Sequence, residues 1–245
     1  MIKHLQTIFC ASAIAVLLLG TAANAQAQIT RVDSGGQSVG FNLGYFAVRG
    51  EDSRATGDVL LADLSDFEPL AFDVKDFNGA TIGGEWLFAL GDYLEGGVGV
   101  GFYRRTVPSV YANVVNDNGT EIEQDLKLRV IPMTATVRFL PAGRGGVEPY
   151  VGAGFGAFNW RYSEVGEFVD TSDYSIFRDR YIADGTAFGP VVLGGVRFPV
   201  ADVWTVGGEI RWQKAEGKFD DDVRLLGDRI DLGGVSASVT FHLRF

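Results

Sequence analysis

Hydrophobic and polar positions alternate with a period of two in eight separate stretches of the chain. Alternation of this kind puts apolar side chains on one face of a β-strand and leaves the other face to glycine and polar residues. The stretches are 39–47, 81–90, 94–103, 126–139, 151–158, 188–198, 204–213 and 234–245. The pattern therefore predicts an all-β fold with eight strands.

The fourth stretch changes phase part-way along its length. Leu126, Leu128 and Val130 are apolar in one phase, whereas the apolar residues from Ile131 onward follow the opposite phase. A β-bulge inserts one extra residue into a strand, and proline is tolerated at bulges. We therefore predict a bulge near Val130 to Pro132, which would keep both apolar sets on one face.

The connections between the strands alternate strictly between long and short. Long connections are predicted at 49–77, 104–125, 162–185 and 214–230, and short ones at 91–93, 141–147 and 199–202. An even number of antiparallel strands, with short turns at one rim and long loops at the other, is typical of bacterial outer-membrane barrels. The fold predicted for residues 37–245 is thus an eight-stranded antiparallel up-and-down transmembrane β-barrel with long extracellular loops.

A soluble β-sandwich is the alternative fold for these alternating strands. It would have irregular loop lengths and polar outward faces, whereas here one face stays apolar. Trp86, Phe88, Trp204 and Trp212 lie on that face near strand ends, where outer-membrane barrels carry their aromatic girdles. The aromatic positions favour the membrane barrel.

The start of the chain has the order of a secretory signal peptide. Lys3 gives a basic start, an uncharged apolar run follows at 8–20, and small residues lead up to Ala25. The apolar run is too short to cross a bilayer as a helix, which argues against an uncleaved anchor, and Cys10 stands too early for a lipoprotein. We predict cleavage after Ala25, followed by a short periplasmic segment at 26–36.

Composition excludes several classes of protein. The chain has 245 residues, of which 47% are hydrophobic, and a single cysteine, so neither a disordered chain nor a disulfide-stapled scaffold fits. Its 31 acidic residues outnumber its 21 basic ones, which argues against nucleic acid as a partner. Removing residues 1–25 takes away Lys3 and the cysteine, so that the net charge changes from −10 to −11.

Three short segments have a pattern that is known from other proteins. They are Pro132–Phe139, the Pro-Tyr-Val-Gly-Ala-Gly segment within 148–154, and the closing strand at 239–245. In these segments the chain resembles small eight-stranded outer-membrane barrels of the OmpA, OmpX and OmpW kind. The resemblance implies a location in the outer membrane of a Gram-negative envelope. A final phenylalanine such as Phe245 is similar to the signal that the outer-membrane assembly machinery reads in this group. Activity does not carry over, because members of the group differ in what they do.

If the apolar face contacts lipid, the opposite face lines the lumen and carries charge. Eight strands leave an interior that side chains just fill, and a buried charge without a partner is costly, so these charges are expected to pair. We expect either an ion-pair plug that holds the barrel shut, in which Glu209→Gln lowers thermal stability, or a narrow gated pathway in which the pairs exchange. Inward glycines at 97–101 and 152–156 either leave a cavity or make room for a large neighbour such as an arginine or Phe158. The predicted lumen charges are Glu85, Glu95, Glu209, Arg138, Arg197, Arg211 and Arg244, with His242 nearby.

The long connections hold most of the negative charge. We interpret these acids either as solvated residues whose repulsion keeps the loops mobile, or as ligands of divalent cations that bridge to lipopolysaccharide. The segment 116–119 does not match a calcium loop, because Val114 would take the first ligand position. Asn118-Gly119 instead predicts a tight hairpin turn at the tip of two strands that extend beyond the bilayer. Residues 59–64 predict one short amphipathic helix over the barrel mouth. The acids are Glu51, Asp52, Asp58, Asp63, Asp66, Glu68, Asp73 and Asp76 in the first connection and Asp220, Asp221 and Asp222 in the last.

The sequence predicts no catalytic or metal-binding residue. Barrel hydrolases need a histidine with a nucleophile or carboxylate at the rim, and the mature chain has only His242, with Ser236 and Ser238 further along its strand. Metal catalysis needs clustered histidine or cysteine, which the sequence lacks. We therefore predict no enzyme and no cofactor, and the ligand-binding residues stay unknown.

The function predicted from the sequence is that of a non-enzymatic outer-membrane protein. It would contribute to envelope integrity or surface interaction through its acidic extracellular loops; the alternative is a narrow porin-like channel or transporter for small or hydrophobic solutes. Expected partners are outer-membrane lipid and lipopolysaccharide, and the assembly machinery, which would meet the C-terminal strand ending at Phe245. The chain is expected to be a monomer without nucleic-acid partners.

Overall fold

The computed structural model describes residues 36–170, 172–220 and 225–245. The predicted signal peptide at 1–25 lies outside these ranges, and so does the predicted periplasmic segment at 26–36 apart from Gly36.

In chain order the elements are β1 (Gln37–Val48), a 3-10 helix (Glu51–Ser53), α1 (Val59–Ser65), β2 (Leu70–Ala71), a second 3-10 helix (Val74–Phe77), β3 (Gly79–Ala89), β4 (Leu94–Val115), β5 (Glu121–Phe139), β6 (Glu148–Val169), β7 (Ile176–Pro199), β8 (Trp204–Gln213), β9 (Glu216–Lys218), β10 (Arg229–Asp231) and β11 (Gly234–Arg244).

Eight of these strands form a closed antiparallel ring. They pair in the order β1, β3, β4, β5, β6, β7, β8 and β11, and β11 pairs again with β1. The connections from β3 to β4, from β5 to β6 and from β7 to β8 are short and lie at one rim. The ring confirms the predicted eight-stranded up-and-down barrel.

The strands of the barrel are staggered relative to one another. When register partners are followed from strand to strand once around the ring, the path does not return to the residue from which it started. The path that starts at Gln37 passes through Phe88 on β3 and Gly96 on β4 and returns to β1 at Ala47, ten residues further along. This stagger tilts the strands against the barrel axis by about 40°, for a rise of about 3.3 Å per residue and a strand spacing of about 4.8 Å. At such a tilt, roughly ten residues of each strand span the apolar layer of a membrane.

Each strand passes through two environments along its length. In the part next to the short turns, which we call the membrane half, outward side chains such as Val98 and Met133 are apolar and exposed. On β4 and β5 this half comprises residues 94–102 and 131–139. In the remaining part, the outer half, most of the buried inward side chains of the strands are apolar. They include Tyr103, Val107, Leu126, Leu128, Val130, Trp160 and Tyr162.

The predicted bulge near Val130 to Pro132 is wrong. β5 keeps an unbroken register with β6 from Gln124 to Phe139, so Val130 and Pro132 both face inward. What changes at this level is the solvent outside the barrel, because lipid surrounds the membrane half and water surrounds the outer half. The apolar face therefore moves from the outside of the barrel to the inside while the strand itself continues without a slip.

Two of the four predicted long loops are mostly strand. β4 and β5 continue to a turn at 116–120, and β6 and β7 continue to a turn at 170–175. The loop bounds predicted as 104–125 and 162–185 are therefore too wide. Only the first and last connections, at 49–78 and 214–233, contain the short helices and strands of the outer side.

Two local predictions on the outer side are confirmed. The Asn118-Gly119 turn joins β4 to β5, and Gly119 takes a φ of +79°, which glycine adopts without steric cost. The helix predicted at 59–64 is α1, whose Val59 and Leu60 are fully buried. None of the described helices is long and apolar enough to cross a membrane.

The outer half has a hydrophobic core to which both long connections contribute. α1 begins after Asp58, whose side chain accepts a hydrogen bond from the backbone N–H of Leu60 at 3.1 Å. This N-cap orients the helix so that its apolar residues pack among the strands. The two connections together contribute Val59, Leu60, Leu70, Val74, Phe77, Ala215, Leu225, Ile230 and Leu232 to the core. Side chains from both connections therefore close the outer end of the barrel.

Candidate functional site

The charged side chains predicted to line the lumen meet in the membrane half. Arg138 is fully buried, donates to Glu85 through both terminal nitrogens, and lies 3.2 Å from Glu209 (Nη2 to Oε2). Arg211 donates to Glu209 through Nε at 3.1 Å and Nη2 at 2.8 Å. His242 places its Nε2 2.8 Å from Oε1 of Glu85. These contacts confirm that the lumen charges form connected pairs.

A second group of charges lies closer to the short turns. Arg197 binds Glu95 at 3.1 Å (Nη1 to Oε1) and lies 3.4 Å from Glu148 (Nε to Oε2). Arg244 donates to the same oxygen of Glu148 at 2.6 Å, and Arg144 lies 3.4 Å from Glu95. The sequence did not single out Glu148 and Arg144, because they stand in or beside a turn and outside the alternating stretches.

Tyr150 connects the two groups of charges. The guanidinium carbons of Arg138 and Arg197 each lie 5.1 Å from the centre of its ring, and a cation over an aromatic face is attracted to it. Its hydroxyl donates to Oε2 of Glu209 at 3.0 Å. Sequence reasoning missed this residue, although its inward phase on β6 was a signal that pointed to it.

The residues considered for catalysis are not brought together. His242 is buried against Glu85, whereas Ser236 and Ser238 line a cavity further along the lumen. Among the described residues, no hydrogen bond connects His242 to either serine. Acyl transfer needs a nucleophile in contact with its base, so this arrangement gives His242 a role in the charge network.

A cavity of about 50 Å³ lies between the charge network and the outer core. Its wall includes Glu209 and Arg211 from the network and Phe46 and Tyr103 from the core, which places it at the boundary between the two halves. A volume of this size holds a few water molecules. Polar side chains and glycines also line the cavity, among them Asn42, Thr81, Ser236, Ser238, Gly99 and Gly101.

The two series of inward glycines serve different ends. Gly99 and Gly101, from the first series, border the cavity. In the second series, a Cβ at Gly156 would lie 2.6 Å from the ring of Phe158, so glycine there makes room for a large neighbour. Both outcomes predicted for inward glycines therefore occur in the barrel.

Two acidic residues of the long connections are structural. Asp58 is fully buried and accepts from Nε and Nη2 of Arg54 at 2.7 and 2.9 Å. Asp231, in the last connection, binds Nη1 of Arg49 at 3.0 Å and the N–H of Ala55 at 3.1 Å. The contacts of Asp231 join the last connection to the first. The prediction of solvated acids is therefore wrong for Asp58.

Asp63 on α1 and Glu164 on β6 are a further exception to that prediction. Both carboxyl groups are buried in the outer half, and the hydroxyl of Tyr162 donates to Oδ2 of Asp63 at 3.3 Å. Burial raises the pKa of Asp63 well above its usual value, and the charge of Glu164 adds to this. Burial also raises the pKa of Glu164 to about 7. The pair therefore keeps a proton at a pH where exposed carboxyl groups are ionised.

The prediction of solvated acids is also wrong for Glu68, which is buried, whereas most other acids of these connections are exposed to solvent. No group of three or more histidine, cysteine, aspartate or glutamate residues placed to hold a metal ion occurs in the described part of the chain. Cation bridging by the acidic loops stays a prediction, and Asp221 and Asp222 lie outside the described residues. The exposed acids are Glu51, Asp52, Asp66, Asp73, Asp76 and Asp220.

The aromatic residues predicted for the lipid-facing side are exposed there. Trp86, Phe88, Trp204 and Trp212 are 50%, 38%, 48% and 39% exposed. A soluble protein would bury side chains of this size, whereas a barrel in lipid turns them outward.

A family model for the outer membrane protein beta-barrel domain matches residues 13–242. The chain belongs to this family. Its location is accordingly the bacterial outer membrane, and the resemblance to small outer-membrane barrels is confirmed. A search of curated proteins finds no significant match.

Several solved structures have a similar barrel. The alignment with Neisserial surface protein A covers 87% of this chain and 100% of that one, at 14% identity and a TM-score of 0.47. Outer membrane protein W of Escherichia coli is 15% identical over 87% of this chain and 100% of that one, with a TM-score of 0.41. The outer membrane protease OmpT of Escherichia coli is 11% identical over 85% of this chain and 96% of that one, with a TM-score of 0.41. At these values the likeness concerns the fold alone.

Proposed function

We propose that this protein is a non-enzymatic outer-membrane barrel that contributes to envelope integrity and surface interaction through its acidic extracellular connections. The filled lumen is the observation that carries the proposal. A solute would have to cross the ion pairs around Arg138 in the membrane half and the hydrophobic core around Leu60 in the outer half. An eight-stranded barrel whose interior is occupied by side chains has no room for an aqueous path beside them.

The proposed partners are outer-membrane lipid with lipopolysaccharide, and the assembly machinery. The outer half carries exposed acids such as Glu51 and Asp52 above the membrane, and divalent cations would bridge them to anionic sugars. The assembly machinery would meet β11, which ends beside the exposed Phe245. A closed ring leaves no free strand edge for a second copy, which supports a monomer.

Single-channel recording in planar bilayers tests the filled lumen. The native protein is expected to give no reproducible conductance steps, because the ion pairs of the membrane half and the hydrophobic core of the outer half would have to open together. Conductance steps that vanish when residues 49–78 are trimmed would contradict the proposal.

A second experiment tests the acidic connections in cells. The variant E51Q/D52N removes two exposed charges on the outer side, and D92N/D202N removes two exposed charges at the short turns. Cells that depend on this protein should survive detergent less well with the first variant and normally with the second. Equal survival would show that the outer acids do not carry the function.

The alternative function is a narrow channel or transporter for small or hydrophobic solutes. One observation favours this alternative, namely the cavity of about 50 Å³ between the charge network and the outer core. In that case Leu60→Ala, which loosens the outer core, should raise conductance, whereas the proposed function predicts that the ion pairs still block the lumen.

A further inference from the structure

Three arginines stand side by side on the outward face of the barrel. Arg104 on β4 is the register partner of Arg129 on β5, which is in turn the register partner of Arg161 on β6. Their sequence neighbours Val130 and Trp160 face inward and are buried, so by the alternation of the strands the arginines point outward. We call these three residues the arginine row.

The arginine row lies at the outer edge of the lipid-facing surface. Arg104 is two residues beyond Phe102, which is exposed on the apolar band, and Arg129 is two residues beyond Ile131. The short turns lie at the opposite end of the same strands. The row therefore stands at the level of the headgroups of the outer leaflet.

None of the three arginines forms an ion pair with a described residue. Other arginines of the outer side do, for example Arg178 with Glu167 at 3.1 Å. Nε of Arg129 is buried without a hydrogen-bond partner. Asp184 is the register partner of Arg161 on β7, yet the two form no ion pair.

Like charges directly opposite each other on neighbouring strands destabilise a sheet. A row of three guanidinium groups at this site therefore calls for an anionic counterpart from outside the chain. Guanidinium groups bind phosphate through two parallel hydrogen bonds and are weakly hydrated, which suits them to a headgroup layer. Two strand spacings make the row about 10 Å long, which matches a headgroup with several anionic groups better than a single small ion.

We infer that the arginine row binds the phosphate groups of lipopolysaccharide in the outer leaflet. This contact is direct and needs no bridging cation, unlike the contact proposed for the acidic connections. It gives the proposed envelope role a specific lipid and rests on that role. The occupant is the lipid, not free phosphate, because the row continues the lipid-facing surface.

Binding measurements on the folded protein in detergent test this inference. The ligands are phosphorylated lipid A, dephosphorylated lipid A and inorganic pyrophosphate. The first should bind and shift the thermal midpoint upward, and the other two should bind far more weakly. Pyrophosphate that competes as well as lipid A at equal concentration would overturn the assignment to a lipid.

The variant R104Q/R161Q changes two exposed members of the row and is matched by R178Q/R180Q, which removes the same charge from exposed sites on β7. The first should lower the affinity for phosphorylated lipid A roughly 30-fold at low salt, since each basic residue near an anionic lipid surface contributes about a factor of five. The second should change it less than about threefold, because charges away from the headgroup level are screened.

Every outcome of the variants decides the question. Unchanged affinity in R104Q/R161Q, or an equal loss in R178Q/R180Q, would overturn the inference. Heat-modifiable gel mobility shows whether each variant is folded. If the double variant is not folded, Arg104→Gln alone, at an exposed position, replaces it in the binding measurement. If lipid A binding is lost while cells keep their detergent resistance, the arginine row is confirmed as a lipid site that does not contribute to the proposed envelope role.

Discussion

The buried carboxyl groups of the lumen network and the buried Asp63–Glu164 pair of the outer half are held in opposite ways. In the membrane half, Glu85 and Glu209 meet Arg138, and the charges stay because each has a partner. In the outer half, Asp63 and Glu164 are equally buried, but neither forms an ion pair with a described residue. The lumen network keeps charge by pairing, and the Asp63–Glu164 pair avoids charge by holding a proton, whereas Asp58, also buried in the outer half, pairs with Arg54.

This difference follows from what surrounds each half. The membrane half needs its apolar residues outside, toward lipid, so the lumen is left to polar side chains that must satisfy one another. The outer half stands in water and collects its apolar residues inside, as a soluble protein does. Asp63 and Glu164 form no ion pair with a described residue there, unlike Asp58, which pairs with Arg54.

The largest effect is expected from breaking a pair in the membrane half. Glu209→Gln takes a charged partner from both Arg138 and Arg211, and the loss of one member of a buried ion network costs about 3 kcal/mol of unfolding free energy. Glu167→Gln, which removes an exposed pair with Arg178, should cost less than about 1 kcal/mol. Urea unfolding followed by gel mobility measures both, and equal costs would show that the lumen pairs contribute no more than surface ones.

A smaller effect is expected from pH in the outer half. The groups that face Asp63 are Glu164, Tyr162, Asp58 and Asp66. Because burial raises the pKa values of Asp63 and Glu164, docking of α1 is strongest below the usual carboxyl pKa. It weakens as the pH rises through about 7, by on the order of 2 kcal/mol between pH 5 and 8.

Fluorescence of Trp160, which is buried in the outer core, follows this loosening during thermal unfolding at each pH. The double variant D63N/E164Q should remove most of the pH dependence, whereas Asp66→Asn, at an exposed position of the same segment, should leave it in place. A pH dependence that survives D63N/E164Q would contradict the role given to the carboxyl pair.

The smallest effect is expected at the tip of the outer half. Gly119→Ala forces a residue with a Cβ into a φ of +79°, which costs about 1 kcal/mol. Gly50→Ala is the control, because Gly50 has a φ of −66° and no atom lies within 4 Å of an added Cβ. Thermal midpoints of the two variants should differ, and a harmless Gly119→Ala would mean that the turn contributes little to the outer strands.

The strands and the lumen charges could be predicted because lipid and lumen impose opposite demands on successive residues. Glu85 and Arg138 stand between apolar neighbours in the sequence, and this alone assigns them to the lumen. Their partners could not be predicted, since the register of several strands decides which charges meet. Glu148 was missed for a related reason. It is the first residue after a turn, where no alternation precedes it to show whether its side chain points into the lumen.

The outer half was harder to predict from the sequence. Leu128 and Val130 are apolar in the phase opposite to Met133. A β-bulge and a change of the solvent outside the barrel both produce this change of phase in the hydrophobic pattern, so the sequence alone does not distinguish them. Charged outward residues such as Arg104 and Arg178 also made the outer strands look like loops. Alternation shows that two faces differ, but it does not show which face meets water.

The stagger that carries the path from Gln37 to Ala47 also fixes the calibre of the barrel. Strand number and stagger together set the diameter, and backbone hydrogen bonds hold both whatever the lumen contains. The wall therefore cannot contract around a shortened side chain, as helices in a soluble core partly do. A side chain lost at Tyr150 or Arg197 would leave a hole of nearly its own volume, and only another lumen residue reaching across could fill it.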